Sequence, residues 1–162
     1  MTAAFSHSTL DHIVSNALGL AIFARALYTA GGVGIGAFHI VGLTVGSSIF
    51  AGLTSLIYRW STPLDPPDAR PNDLRAHWVN KGASCVVAAY MTLATCFTPQ
   101  MRIAIGRFTI PIRTYWVTAF FLLTDVMMIG SNDRVAHEAH LGGANFGLAY
   151  YLFALRKPYG WW

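Results

Sequence analysis

The sequence has too little charge for an ordinary water-soluble domain. Only 11% of its 162 residues are Asp, Glu, Lys or Arg, whereas a typical globular domain carries about 25%. Hydrophobic residues make up 54% of the chain, and the mean hydropathy is +0.46. This balance excludes a disordered chain, disfavours a soluble enzyme and indicates a membrane protein.

Other common signals are also scarce. No basic run accompanies the formal net charge of +4, so nucleic acid is not an expected partner. No basic segment precedes a short apolar core with a cleavage site, so Met1 is not expected to open a secretory signal peptide. The two cysteines, Cys85 and Cys96, would lie about 16 Å apart on one helix. That is too far for a disulfide, and both are interpreted as packing residues.

Long charge-free stretches indicate membrane-spanning helices, since a helix needs about 20 mostly apolar residues to cross a bilayer. We predict an all-α membrane protein, a polytopic helical bundle of five transmembrane helices that form one domain over residues 1–162. The predicted helices cover about residues 10–29, 35–58, 82–97, 114–131 and 134–156.

Polar side chains inside these helices are candidates for function, because an unpaired polar group is costly in a bilayer. Ser84 lies two positions into the third predicted helix, and His140 lies about six residues into the fifth. His12 and Asn16 are four residues apart on the first helix and therefore share a face. Successive helices cross in alternating directions, so all four residues are expected near one end of the bundle.

This group of residues is suited to peptide hydrolysis. A serine hydroxyl becomes a nucleophile when a neighbouring base takes its proton, and histidine is suited to that role. The Asn16 amide and the His12 ring can donate hydrogen bonds to the oxyanion. Gly143 and Gly147 stand four residues apart, a spacing that lets membrane helices approach closely. This approach would bring the serine to the histidine.

The segments that carry these residues resemble those of the rhomboid intramembrane serine proteases. Three blocks match in order: Phe5-Ser6-His7 with His12-x-x-x-Asn16, then Gly82-Ala83-Ser84, then Ala139-His140-Leu141-Gly142-Gly143-Ala144 with Phe146-Gly147. Within the family, the chain is most similar to the mitochondrial presenilin-associated branch, by His137-Glu138-Ala139-His140, Arg102-Ile103-Ala104-Ile105 and Asp125. The resemblance covers almost the whole chain.

The resemblance implies that Ser84 is the nucleophile and His140 the base, with Asn16 and His12 on the oxyanion side. It implies helix-packing roles for Gly82, Cys85, Gly143 and Gly147. The five helices would be the second to sixth of the rhomboid fold, and the family's first core helix is expected to be absent. We expect an enzyme of the mitochondrial inner membrane, in contact with lipids, that cleaves single-span membrane proteins without a cofactor or metal.

Cys85 departs from the family pattern, which usually has glycine after the nucleophile. A larger side chain there is expected to push the serine and histidine helices apart. We therefore expect Ser84 and His140 at or beyond the usual hydrogen-bond limit of about 3.2 Å. Weak or absent proteolysis would follow, and Cys85→Gly would raise activity.

Two other functions stay open. One is a catalytically weak or inactive rhomboid-like subunit of a larger membrane complex, in which another subunit fills the first-helix position. The other is metal or haem binding by His137 and His140, which share a helix face. Their spacing departs from the zinc signature His-Glu-x-x-His, so no metal is expected. Asp125 is interpreted as a hydrogen-bonded or neutral carboxyl that faces the bundle, and His39 as a structural residue.

Overall fold

The computed structural model describes residues 10–29, 35–62, 83–104, 111–131 and 135–156. Within these ranges the chain forms five α-helices and one two-stranded antiparallel sheet. The elements in chain order are α1 (Leu10–Thr29), α2 (Ala37–Ser61), α3 (Ser84–Phe97), β1 (Arg102–Ala104), β2 (Pro111–Arg113), α4 (Thr114–Met128) and α5 (His137–Tyr150). A π-helical turn over Tyr151–Leu155 continues α5.

The five predicted helices are all present, and only their ends differ by a few residues. The two strands are a feature that the sequence analysis missed. Arg102 pairs with Arg113 and Ala104 with Pro111. Each strand has three residues, which is too short for an alternating pattern to stand out in the sequence.

Among the described helices, α1 and α2 are long and apolar enough to cross a membrane by length and composition. Helices α3 and α4 are apolar but shorter. Large apolar side chains are exposed along α1, α2 and α4, for example Leu18, Leu56 and Phe120. Such an exterior suits lipid as the solvent. Membrane crossing by all five helices stays a prediction.

Helix α3 is the centre of the bundle. Nine of its 14 residues are buried, and it contacts each of the other four helices. Many of the buried residues are small, among them Ala88, Ala89 and Ala94. Small side chains let neighbouring helices approach closely, so the composition of α3 explains how it packs against several helices at once.

At two glycines, α5 approaches the backbone of α3 without an intervening α5 side chain. A Cβ atom on Gly143 would overlap the Cys85 carbonyl, and one on Gly147 would overlap the Ala89 carbonyl. Both contacts advance by four residues in the same direction, so the two helices run parallel. Gly82, also predicted as a packing position, lies outside the described residues.

Helix α2 packs antiparallel to α5 and is tied to it by hydrogen bonds near both ends. His39 Nδ1 lies 2.9 Å from Tyr150 Oη, and Ser55 donates to Glu138 at 3.2 Å. His39 therefore has a structural contact, as predicted. Because α2 and α5 run in opposite directions, the C-terminal end of α2 lies beside the N-terminal end of α5.

Candidate active site

Ser84 and His140 are joined by a hydrogen bond. Ser84 is the first residue of α3, and His140 lies in the first turn of α5. The parallel helices bring their N-terminal ends together, and the Ser84 Oγ–His140 Nε2 distance is 2.8 Å. The hydroxyl can therefore donate its proton directly to the imidazole.

The separation expected from Cys85 is wrong, since 2.8 Å is an ordinary hydrogen-bond length. The reason lies in which atoms form the helix contact. The backbone of Cys85 packs against Gly143, whose missing side chain provides the necessary room. The Cys85 side chain is buried, but it does not hold the two helices apart.

Asp125 on α4 accepts hydrogen bonds from two histidines. Its Oδ1 lies 3.0 Å from His140 Nδ1 and 2.6 Å from His137 Nδ1. With a proton on Nδ1, His140 presents Nε2 to Ser84 as an acceptor. Ser84, His140 and Asp125 thus form one continuous chain of hydrogen bonds.

The sequence predicts a hydrogen-bonded Asp125 that faces the bundle, and this is confirmed, but the partners of the carboxylate were not predicted. A signal was available. Asp125 lies in the last turn of α4 and His137 opens α5. A short connection between consecutive helices places such positions side by side.

Phe121 also restrains His140. The two rings are stacked, with centroids 5.4 Å apart and an interplanar angle of 29°. Phe121 precedes Asp125 by four residues, so both lie on the same face of α4. One helix therefore supplies a hydrogen bond to the edge of the imidazole and an aromatic surface against its plane.

The oxyanion-side candidates lie on α1. Asn16 is buried, and its Nδ2 has no hydrogen-bond partner within the described ranges. His12 is half-buried. A Cβ on Gly19 would lie 2.8 Å from Val87 Cγ1, so α1 contacts α3 one turn beyond Asn16 and Ser84. The catalytic roles of Asn16 and His12 stay predictions.

A family model for the rhomboid domain matches residues 1–157 of the chain. The chain belongs to the rhomboid family. Among curated relatives, this rhomboid is 29% identical over 157 residues to RHOMBOID-like protein 12, mitochondrial, of Arabidopsis thaliana. The match covers 89% of this chain and 42% of the relative, so the chain spans less than half the length of that protein. No solved structure matches the chain with statistical significance.

The family match confirms the resemblance seen in the sequence blocks and makes this rhomboid a membrane protein. The match extends across every described helix of the bundle. Membership of a family does not by itself establish the chemistry of the Ser84–His140 pair.

Proposed function

We propose that the chain is an intramembrane serine protease that cleaves membrane-spanning proteins through Ser84 and His140. The observation that carries this proposal is the 2.8 Å hydrogen bond between Ser84 Oγ and His140 Nε2. Asp125 and His140 are only 2% and 8% exposed, and burying such groups is costly. An inactive structural subunit would need no such hydrogen-bonded chain, whereas a protease would use every member of it.

In the proposed reaction, Ser84 Oγ attacks the carbonyl carbon of the substrate peptide bond while His140 Nε2 takes the hydroxyl proton. The carbonyl electron pair moves to its oxygen. The histidine then gives the proton to the leaving amine nitrogen as the C–N bond breaks. Water, activated by the same histidine, hydrolyses the resulting acyl-enzyme and regenerates the serine. Asp125 holds the imidazole in place and stabilises its positive charge.

The start of α3 and the side chain of Asn16 are the proposed donors to the oxyanion. The first backbone N–H groups of a helix have no intrahelical acceptor, and Ser84 and Cys85 occupy these positions in α3. If α1 runs parallel to α3, the contact between Gly19 and Val87 puts Asn16 level with Ser84. Asn16 Nδ2, which has no partner among the described residues, is then suited to stabilise the developing negative charge.

We place the enzyme in the mitochondrial inner membrane with single-span membrane proteins as substrates. RHOMBOID-like protein 12 of Arabidopsis thaliana is named as a mitochondrial protein, which supports this organelle. The exposed apolar faces of α1, α2 and α4 would contact lipid. The alternative, a catalytically inactive subunit of a membrane complex, predicts the same location but no cleavage.

The test is cleavage of a single-span substrate by the purified chain in liposomes. Ser84→Ala and His140→Ala should each reduce cleavage to background, and the double variant should be no worse, because residues that act as one unit are not additive. Ser48→Ala is the matched control. Ser48 donates a hydrogen bond to the Thr44 carbonyl of its own helix, so the activity of this variant should stay within about twofold of the wild type. Equal cleavage by the wild type and Ser84→Ala would contradict the proposal, and a folded but inactive wild type would favour the subunit.

A further inference from the structure

Asp125, His137 and His140 bring three metal-ligating side chains into one buried group. One ligand atom from each lies within 4.8 Å of the others. The residues are 2%, 6% and 8% exposed. A carboxylate oxygen with two imidazole nitrogens is a donor set that Zn²⁺ takes in proteins.

A second observation also indicates a cation. Asp125 Oδ1 accepts hydrogen bonds from both histidines, whereas the buried Oδ2 has no hydrogen-bond partner in the ranges that the structure describes. A buried carboxylate oxygen left without a partner is costly. It is also an available ligand atom. An ion bound to the two Nδ1 atoms would replace their hydrogen bonds to Oδ1, and the carboxylate could then bind the ion through either oxygen.

The spacing and position of the group also suit an ion. Ligand bonds of about 2.0 Å in a tetrahedral zinc site separate the ligand atoms by about 3.3 Å. The Asp125 Oδ1–His137 Nδ1 and Asp125 Oδ1–His140 Nδ1 distances are 2.6 and 3.0 Å. The ligand atoms of all three residues lie within 4.8 Å of one another, so small side-chain movements would bring them to this spacing. Asp125 is in the last turn of α4 and His137 is the first residue of α5, which places the site at the end of the bundle.

We propose that Asp125, His137 and His140 bind one Zn²⁺ ion and that the bound ion switches off the base function of His140. The metal-free protein is the active form. Binding stands on the geometry above, whereas inhibition rests on the proposed function.

The chemistry of inhibition follows from the two ring nitrogens. When the ion binds Nδ1 of neutral His140, the proton on Nδ1 is replaced by the metal and one is taken up at Nε2. The imidazole stays neutral, and no net proton is lost. Nε2 then donates a hydrogen bond to Ser84 instead of accepting its proton, so the serine is no longer activated.

Binding is tested on the purified chain without a histidine tag, in detergent micelles. Zn²⁺ affinity is measured by competition with a fluorescent chelator, and Co²⁺ serves as a visible-absorbing probe. We expect one ion per chain for both the wild type and Ser84→Ala, and at least tenfold weaker binding for His137→Ala. His39→Gln is the matched control, because His39 bonds to Tyr150 at the other end of α5, and its affinity should be unchanged.

A further variant distinguishes the loss of a metal ligand from a folding defect. His137→Cys supplies another zinc ligand, so it should restore binding and add a thiolate-to-cobalt charge-transfer band. Equal affinity in the wild type and His137→Ala, or no binding by the folded wild type, would overturn the site.

Inhibition by the bound ion is tested separately, by measuring cleavage. If the wild type cleaves its substrate, Zn²⁺ should inhibit and a chelator should restore the rate. One ion bound at this site without inhibition would overturn the proposed effect on His140. Zinc binding by a wild-type protein that shows no cleavage would support the metal site while the proposed protease function fails.

Discussion

Asp125 illustrates how a single carboxylate is accommodated inside an otherwise apolar helix. The side chain is buried in α4, where an unpaired charge would be strongly destabilising. Two histidine N–H groups offset that cost by donating to Oδ1. The bond to His140 also orients its ring, so one interaction contributes both to stability and to the geometry of the candidate site.

Asp125→Asn should lower kcat about 100-fold and leave KM nearly unchanged. The amide has almost the same volume and keeps an acceptor oxygen, but it carries no charge to stabilise the protonated His140 formed during attack. Steady-state kinetics in liposomes measure the effect, and circular dichroism checks the fold. Thr124→Ala, at an exposed neighbouring position, is the control. An unchanged kcat for Asp125→Asn would show that the carboxylate is structural only.

Cys85→Gly should not raise activity. The serine–histidine distance is already 2.8 Å, and the helix contact at Cys85 is made by its backbone. Glycine in the helix is expected to cost up to about 1 kcal/mol in stability, so the melting temperature in detergent should fall slightly. A clear increase in initial rate would show that the Cys85 side chain limits the reaction after all.

At the scale of elements, the parallel packing of α3 and α5 positions the candidate site. Gly143 and Gly147 remove two side chains from α5, one helical turn apart, and the α3 backbone occupies that space. The contact between α3 and α5 begins at Cys85, next to Ser84, and continues along both helices to Ala89 and Gly147. A displacement of either helix would therefore be transmitted directly to the Ser84–His140 distance.

Gly143→Ala should both destabilise the protein and reduce cleavage. The added methyl would overlap the Cys85 carbonyl, and such overpacking typically costs about 1–3 kcal/mol. A shift of about 1 Å between reacting groups can cost about 100-fold in rate. Melting temperature and initial rate are measured together.

The matched control for this substitution is Gly52→Ala on α2, where an added Cβ meets no atom of the described residues within 4 Å. Alanine favours helix over glycine by about 1 kcal/mol, so Gly52→Ala should be neutral or stabilising and retain cleavage. Equal effects of the two substitutions would contradict the role assigned to the close contact.

At the scale of the whole molecule, the length of α3 bears on where the candidate site lies. Its 14 residues correspond to about 21 Å, whereas the hydrocarbon core of a bilayer is about 30 Å thick. If α3 is centred in the bilayer, Ser84 at its first residue lies below the membrane surface. That position is consistent with cleavage of a peptide bond within or next to a transmembrane segment.

Labelling from the two sides of sealed proteoliposomes tests the membrane crossing of α3. Ser61, at the C-terminal end of α2, and Gln100, just beyond α3, are both exposed. In a background with Cys85→Ala and Cys96→Ser, an impermeant maleimide should reach Ser61→Cys and Gln100→Cys from opposite sides. Labelling of both from the same side would contradict the predicted crossing, since α2 ends beside the start of α3.

The positions of the helices and several residues of the candidate site could be predicted from local sequence. Long apolar stretches between charged residues located five helices, because helix formation and membrane insertion both depend on contiguous residues. The Gly82-Ala83-Ser84 and Ala139–Gly147 blocks identified the Ser84–His140 pair and the glycine face. These features were readable because each lies within a single helix turn or a fixed helical spacing.

Only the tertiary structure decided the partners of Asp125, the stacking of Phe121 on His140 and the effect of Cys85. These features depend on the distance and rotation of one helix relative to another, and the periodicity of a single helix does not specify either quantity. Cys85 illustrates the difference. The size of its side chain predicted a wider separation of α3 and α5, whereas in the structure its backbone faces Gly143, so the two helices are in contact. The shared carboxylate of Asp125 likewise arises only where the end of α4 meets the start of α5.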